Sequence, residues 1–382
     1  MSRTLRELRP VYVVGIGWHR YQHPSHTSYV TLGLTAIRAA LADAKLEWPL
    51  VESSFIGTGL LGMAAGRAML KHLGASGQPL VHVENASASG SAAIRHACIE
   101  VAAGISDIAL AIGCDKRNPV TRGFTRTGIG TLADDAIVPF THFALLTNEY
   151  STRYGVAPED IALVAVKNHA NGAKNPHAQR QKVRTLEEIL AGKPISGTLT
   201  ALQCCPVGEG AAAVIVASED AIKRHGLDAS RAIRVASSAA RSERPGAASD
   251  ADATLTRETM QAALTDAQIS AKDLDVLEMH DAFTIEELLY TEASGLCAEG
   301  TAVHALKAGE FAIGGRCAVS PSGGLIAMGH PIGPTGVGQI GELTLQLRGE
   351  AGARQQPNAR VGLAHMVGLG SMCYAHVLQR DQ

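Results

Sequence analysis

Aromatic side chains are scarce, at 4% of the 382 residues, and charged ones make up only 18%. The formal net charge is −2, so the chain lacks the basic footprint with which a nucleic-acid binder meets phosphates. No apolar run approaches the ~20 residues of a membrane-spanning helix. The first ten residues are polar and contain arginine but no apolar stretch, so a secretory signal is not expected there. The seven cysteines include no CxxC pair, and adjacent Cys204 and Cys205 do not have zinc-ligand spacing, so no metal site is expected. Such cysteine usage fits a reducing compartment, and the expected location is the cytoplasm.

What the chain does have is bulk and small residues. Hydrophobic residues reach 46%, and there are 40 glycines. The length suits two domains or one large α/β unit, and small residues suit close packing of helices on sheets.

Strand-like and helix-like stretches alternate twice. Residues 11–17 (VYVVGIG) read as a buried strand, and residues 29–46 as an amphipathic helix ending in AALADA. Short strands follow at 54–57, 80–83 and 108–112, with a small-residue loop, NASASGS, at 85–91 before a helix that runs to Ala102. A strand at 233–236 restarts the plan. A helix ending in AALTDA at 262–267, a strand at 276–279, a second small-residue loop at 320–325 and a helix at 335–347 follow. Strands at about 360–364 and up to Leu378 close the chain. The repeated order points to an internally duplicated α/β architecture, with halves at 1–230 and 231–382. The more polar stretch at about 116–197 reads as a loop domain inserted in the first half.

Four places carry candidate chemistry. Ser87 sits where a strand turns into a helix, and unpaired helix N–H groups there suit a nucleophile or an oxyanion. Capping by Ser87 or Ser89 is the plainer role for serine at such a place. His280, in MHDAF, follows a strand and is placed to hold an oxyanion or move a proton, while Asp281 could cap the next helix. His330, in GHPIG, is flanked by glycines that let the backbone approach a ligand, and Pro331 fixes the exit of the chain. Gly323 and Gly324 precede it as candidate substrate-binding positions. Gly368 and Gly370, in HMVGLGS, offer N–H groups for a second oxyanion site, or a simple turn.

Taken together, these motifs resemble the thiolase superfamily. The likeness is strongest to thiolases of the sterol-carrier-protein type and to thiolase-like lipid-transfer proteins. It is carried by KNHANGAKNPHAQ from Lys167, LQCCPVGEGAAA from Leu202, HDAFTIEELLYTEASGLCAEG from His280, SPSGGLIAMGHPIGPTG from Ser320 and QLRGEAGARQ from Gln346. The resemblance spans nearly the whole chain. It implies a thiolase fold: two similar halves in a five-layered αβαβα arrangement, with a helix pair between two sheets. It also implies a homodimer and an acyl-CoA substrate, with coenzyme A as carrier and no covalently bound cofactor. In such enzymes a loop cysteine is acylated, the GHP histidine activates it, and a second cysteine moves a proton at carbon.

The match is partial at the chemistry. Both histidines are present, as His280 and His330, but Ser87 stands at the nucleophile's place and Ala282 at that of the HDCF cysteine. Met366 or a neighbour stands at the other family place for the second cysteine. A hydroxyl ionises far less readily than a thiol near pKa 8.5, and a methyl group transfers no proton. Three readings follow. One is a thiolase-type acyltransferase using Ser87. Another is a retro-aldol lyase of a β-hydroxyacyl-CoA, with Tyr290 or Tyr374 as a proton carrier, working beside an OB-fold, zinc-ribbon partner. The third is an acyl-CoA- or lipid-binding subunit without catalysis.

Overall fold

Strand β1 (Val11–Gln22) carries Gly17 where helix α1 (Tyr29–Ala44) crosses it; a Cβ there would fall 2.4 Å from the Ala36 carbonyl oxygen. Ser28 caps α1 by accepting from the Thr31 amide at 3.1 Å. The chain continues through β2 (Ser53–Gly57), α2 (Ala65–Leu70), β3 (Leu80–Val83), α3 (Ser89–Ala102) and β4 (Ile108–Asp115). It then leaves the sheet for α4 (Pro139–Tyr154), α5 (Pro158–Gly172), α6 (Leu186–Leu190) and the two short strands β5 (Pro194–Ser196) and β6 (Leu199–Thr200). It returns as β7 (Glu209–Ser218), followed by α7 (Glu219–His225). In this computed structural model the described residues are 4–117, 139–244, 251–369 and 372–381.

The second half repeats the plan. It runs through β8 (Ile233–Ser242), α8 (Ala251–Ala267), β9 (Val276–Glu278), α9 (Thr284–Ser294), α10 (Ala302–Lys307), β10 (Ala318–Val319) and α11 (Gly324–Ala327). It ends with α12 (Ile332–Arg348), β11 (Val361–Gly368) and β12 (Met372–Gln379). The hydrogen-bonded order is β10-β9-β11-β12-β8-β1-β7-β4-β2-β3. Read outward from the middle, each half has the same sequence of partners. In the first, β2 pairs in parallel with β3 and β4, while β7 runs antiparallel to β4 and β1. In the second, β9 pairs in parallel with β10 and β11, while β12 runs antiparallel to β11 and β8.

The AALADA and AALTDA echo falls on matching helices. Each ends on a non-glycine residue with positive φ, Lys45 at 52° and Gln268 at 57°. The next amides close the same turn, Leu46 N onto Leu41 O at 2.9 Å and Ile269 N onto Leu264 O at 3.0 Å.

The sheets of the two halves meet at one edge, where β1 and β8 pair over Tyr12↔Arg234 and Val13↔Ile233, so that they form one hydrogen-bonded order. The halves still enclose α3 and α12. A single apolar cluster draws Ala93, Ile94 and Val101 of α3 and Val337 and Ile340 of α12 together with strands of both halves. Helix α12 is buried on nearly every side, including the polar stripe of Thr335, Gln339, Glu342 and Gln346. Glycine makes the close approach feasible: a Cβ on Gly90 would lie 2.3 Å from the Gly333 oxygen. Helices α1 and α8 cover the outer faces. Among the described residues no helix is long and apolar enough to cross a membrane.

Candidate active site

The parallel strands β2, β3 and β4 of one half and β9, β10 and β11 of the other end at the loops that carry the candidate residues. That end of an α/β sheet is where ligands commonly bind. Ser87 follows β3 and is half-buried. It is not the cap of α3: Ala88 occupies that position and makes no side-chain capping bond. Ser89 instead ties the loop, accepting from the Asn85 amide at 2.9 Å and donating to the Ala86 carbonyl at 2.6 Å. Ala86 has φ of 47°, a left-handed conformation that alanine adopts only under constraint. This turn leaves the Ser87 hydroxyl free to face another loop.

It faces His330. Ser87 Oγ lies 3.0 Å from His330 Nε2, and His330 Nδ1 lies 2.9 Å from Thr335 Oγ1. Thr335 Oγ1 donates its single proton to the Pro331 carbonyl at 2.5 Å, because a carbonyl can only accept. Nδ1 must therefore donate to Thr335, which leaves Nε2 as the acceptor of the Ser87 proton. Burial, then the charges of His280 and Arg117, pushes the His330 pKa well below 6.5. The ring is held as a neutral base. Its loop is anchored to the first half by Asp115, whose Oδ2 accepts from the Gly333 amide at 2.5 Å and whose Oδ1 accepts from Thr58 at 2.7 Å and from Leu60 N at 2.9 Å.

His280 stands edge-to-face with His330, the ring centroids 5.2 Å apart. Its Nδ1 lies 2.8 Å from Glu286 Oε1. The same carboxylate accepts from the Phe283 amide at 2.9 Å and from the Tyr290 hydroxyl at 3.2 Å. Burial pushes the Glu286 pKa up, and the adjacent His280 pulls the other way. His280 Nε2 is buried and has no hydrogen-bond partner among the described residues.

Asp281 does not cap the next helix, α9, whose N-cap position is Phe283; it joins three motifs. It is fully buried and accepts from Asn168 Nδ2 at 2.8 Å, from Ser320 Oγ at 3.0 Å and from the Leu325 amide at 2.6 Å. Lys167 pairs with neighbouring Glu287 at 3.1 Å. Burial, then Glu287, drives the Asp281 pKa up. Gly323 and Gly324 lie behind this network, and both are buried. A Cβ on Gly323 would sit 2.7 Å from Gly172 Cα, and one on Gly324 would sit 2.0 Å from Asp281 Oδ2. Close packing against KNHANG and HDAF accounts for both glycines.

Gly368 ends β11 against the serine loop, where a Cβ would meet the Asn85 carbonyl at 2.3 Å. Gly370 lies outside the described residues. Tyr374 accepts from Asn85 Nδ2 at 3.1 Å, two residues from Ser87, whereas Tyr290 is committed to Glu286. Ala282 is buried, and Met366 is fully buried on β11 opposite Tyr374.

Every cysteine is free, and burial holds each thiol up. Cys98, Cys204, Cys205, Cys317 and Cys373 are pushed to about 12, Cys297 to about 11, and Cys114 well above 9. None has the lowered pKa of a reactive thiolate.

The motifs alone did not single out Glu286 or Thr335. Glu286 stands six residues after His280 and Thr335 five after His330, offsets that a turn entering a helix brings into contact. Asp115 is joined to the GHPIG loop across 218 positions, which no local pattern signals.

Comparison with known proteins shows the family. The family described as "Thiolase, N-terminal domain" matches residues 19–185, and "Thiolase C-terminal domain-like" matches residues 237–380. The benzoylsuccinyl-CoA thiolase subunit BbsB of Thauera aromatica is 35% identical over 376 residues, covering 95% of both chains. Sterol carrier protein 2 of Gallus gallus is 36% identical over 388 residues, covering 95% of this chain and 70% of that protein. Among solved structures, the Ltp2-ChsH2(DUF35) aldolase superposes with a TM-score of 0.85 at 22% identity, over 98% of each chain, a likeness of fold.

Proposed function

The chain belongs to the thiolase superfamily, and from that premise we propose that it breaks a carbon–carbon bond of an acyl-CoA without a covalent acyl-enzyme, as a retro-aldol lyase of a β-hydroxyacyl-CoA. One observation carries this reading: no cysteine of the chain is an activated thiol, while two histidines and a serine meet where thiolase chemistry needs two thiols. Thiolysis requires a nucleophile to hold the acyl group and a second group to protonate the leaving carbon. Ala282 supplies no proton, and a serine hydroxyl is a weaker nucleophile than a thiolate.

The lyase reaction needs less. The substrate's β-hydroxyl proton passes to a base, the Cα–Cβ electron pair moves onto Cα and the thioester oxygen, and a carbonyl compound departs. His330 is the base in this reading, its lone pair at Nε2 aimed at Ser87. In this reading hydrogen-bond donors of the site hold the developing enolate oxygen. Coenzyme A serves as the carrier of the acyl group. A homodimer, and a small partner protein of the OB-fold, zinc-ribbon kind, complete the proposal. The BbsB protein is by name a subunit, and the aldolase structure pairs Ltp2 with a DUF35 protein.

A second reading, acyl transfer through Ser87, draws on the 3.0 Å contact between Ser87 and His330. One experiment separates them. The purified protein is incubated with a branched β-hydroxyacyl-CoA, and separately with a β-ketoacyl-CoA plus free CoA, and products and protein mass are measured. A carbonyl product from the first mixture, without an adduct and without free CoA, is expected. Chain-shortened acyl-CoA from the second, with an acyl group on Ser87, overturns the lyase.

A further inference from the structure

Any reaction that breaks a bond next to a thioester must put a proton on the carbon left behind. In this chain neither Ala282 nor an activated cysteine is available for that step. His280 is arranged for it. Its Nδ1 is fixed on Glu286 at 2.8 Å, and Glu286 is fixed in turn by the Phe283 amide at 2.9 Å and the Tyr290 hydroxyl at 3.2 Å. The carboxylate therefore sets the orientation of the ring, as a carboxylate does for a histidine that moves a proton. The other ring nitrogen, Nε2, is buried without a partner among the described residues, beside His330 at a centroid distance of 5.2 Å. An unpaired buried nitrogen costs free energy unless a ligand meets it.

We propose that the His280–Glu286 pair carries the proton to and from the carbon next to the thioester, with Glu286 as the positioning residue for His280. The inference rests on the reading of this site as one that acts beside a thioester carbonyl. In the cleavage direction the step draws on a proton at His280 Nε2. As the carbonyl product departs, the electron pair on Cα takes the proton from Nε2, and His280 becomes neutral with Nδ1–H still on Glu286. The proton that left the β-hydroxyl for His330 returns to His280 through solvent, so protons balance over one turnover.

The test is exchange at carbon, which requires no bond cleavage. The full chain is incubated in D2O with acetyl-CoA, and deuterium in the acetyl methyl group is followed by mass spectrometry and NMR. The wild-type chain is expected to wash in deuterium. Glu286→Gln keeps the shape but removes the charge and is expected to slow exchange by about 100-fold, the scale of a lost acid–base group. Glu286→Asp is expected to recover part of the rate, and His280→Gln to abolish it. Thermal melting of each variant checks the fold, and the His280→Gln result stands if Glu286→Gln melts early. Wild-type exchange in Glu286→Gln overturns the inference, as does an absence of exchange in the wild-type chain. So does loss of exchange in His330→Gln while His280→Gln exchanges normally. Exchange without cleavage of any β-hydroxyacyl-CoA keeps this inference and removes the lyase; cleavage that is indifferent to Glu286 does the reverse.

Discussion

Ser87 Oγ and His330 Nε2 lie 3.0 Å apart although 243 positions separate them in the chain, and the hydroxyl donates to the ring. A thiol at position 87 would stand before the same neutral base. Ser87→Cys is therefore expected to acquire a thiolate-forming residue, and Ala282→Cys a proton carrier. The double variant should show thiolysis of a β-ketoacyl-CoA at least ~10-fold above wild type, with each single variant falling short, measured by the loss of β-ketoacyl-CoA with free CoA present. An unchanged double variant would mean that more than the two side chains separates this site from thiolysis.

The pH dependence follows from His330. Its pKa is pushed well below 6.5, chiefly by burial, and the base must be neutral to accept a proton. On the acid side, activity is lost as pH falls through that lowered value, so the acid limb of kcat/KM should lie below pH 6.5. Thr335→Val removes the acceptor that fixes Nδ1–H. It is expected to lower kcat by about 10- to 100-fold with KM little changed.

Gly324 has φ of 57°, and a Cβ there would lie 2.0 Å from Asp281 Oδ2. Gly324→Ala must move a buried carboxyl that joins three motifs. The expected cost is about 3 kcal/mol of stability, with loss of activity because His280 adjoins Asp281. Chemical denaturation and turnover measured together check it. A stable, active variant would show that the network yields readily.

Glu278, beside the site on β9, is raised from 4.5 to about 8 by burial and by Glu342. Its folded pKa exceeds its unfolded one, so its contribution is full below pH 4.5 and is lost as pH rises through about 8. Glu278→Gln has no such titration. The melting temperature of the variant, relative to wild type, should rise between pH 5 and 8 and level off above. A constant difference across that range would contradict the raised pKa.

The family, the duplicated α/β plan and the two histidines were legible in the sequence because they rest on local patterns. Strand and helix periods, the AALADA and AALTDA turns, and the glycines beside His330 are each written within a few residues. So were the missing thiols, since Ser87 and Ala282 stand inside recognisable motifs. The contacts of Gly323 and Gly324 were not legible: the fold sets them against Gly172 and Asp281. The pairing of β1 with β8, which joins the sheets of the two halves, depends on how the halves meet. Local sequence fixes which residues are present and how each short segment turns. Only the tertiary structure decides which nitrogen of His330 accepts, that Glu286 holds His280, and that Asp115 anchors the histidine's loop, because those facts depend on atoms brought within hydrogen-bond reach by folding.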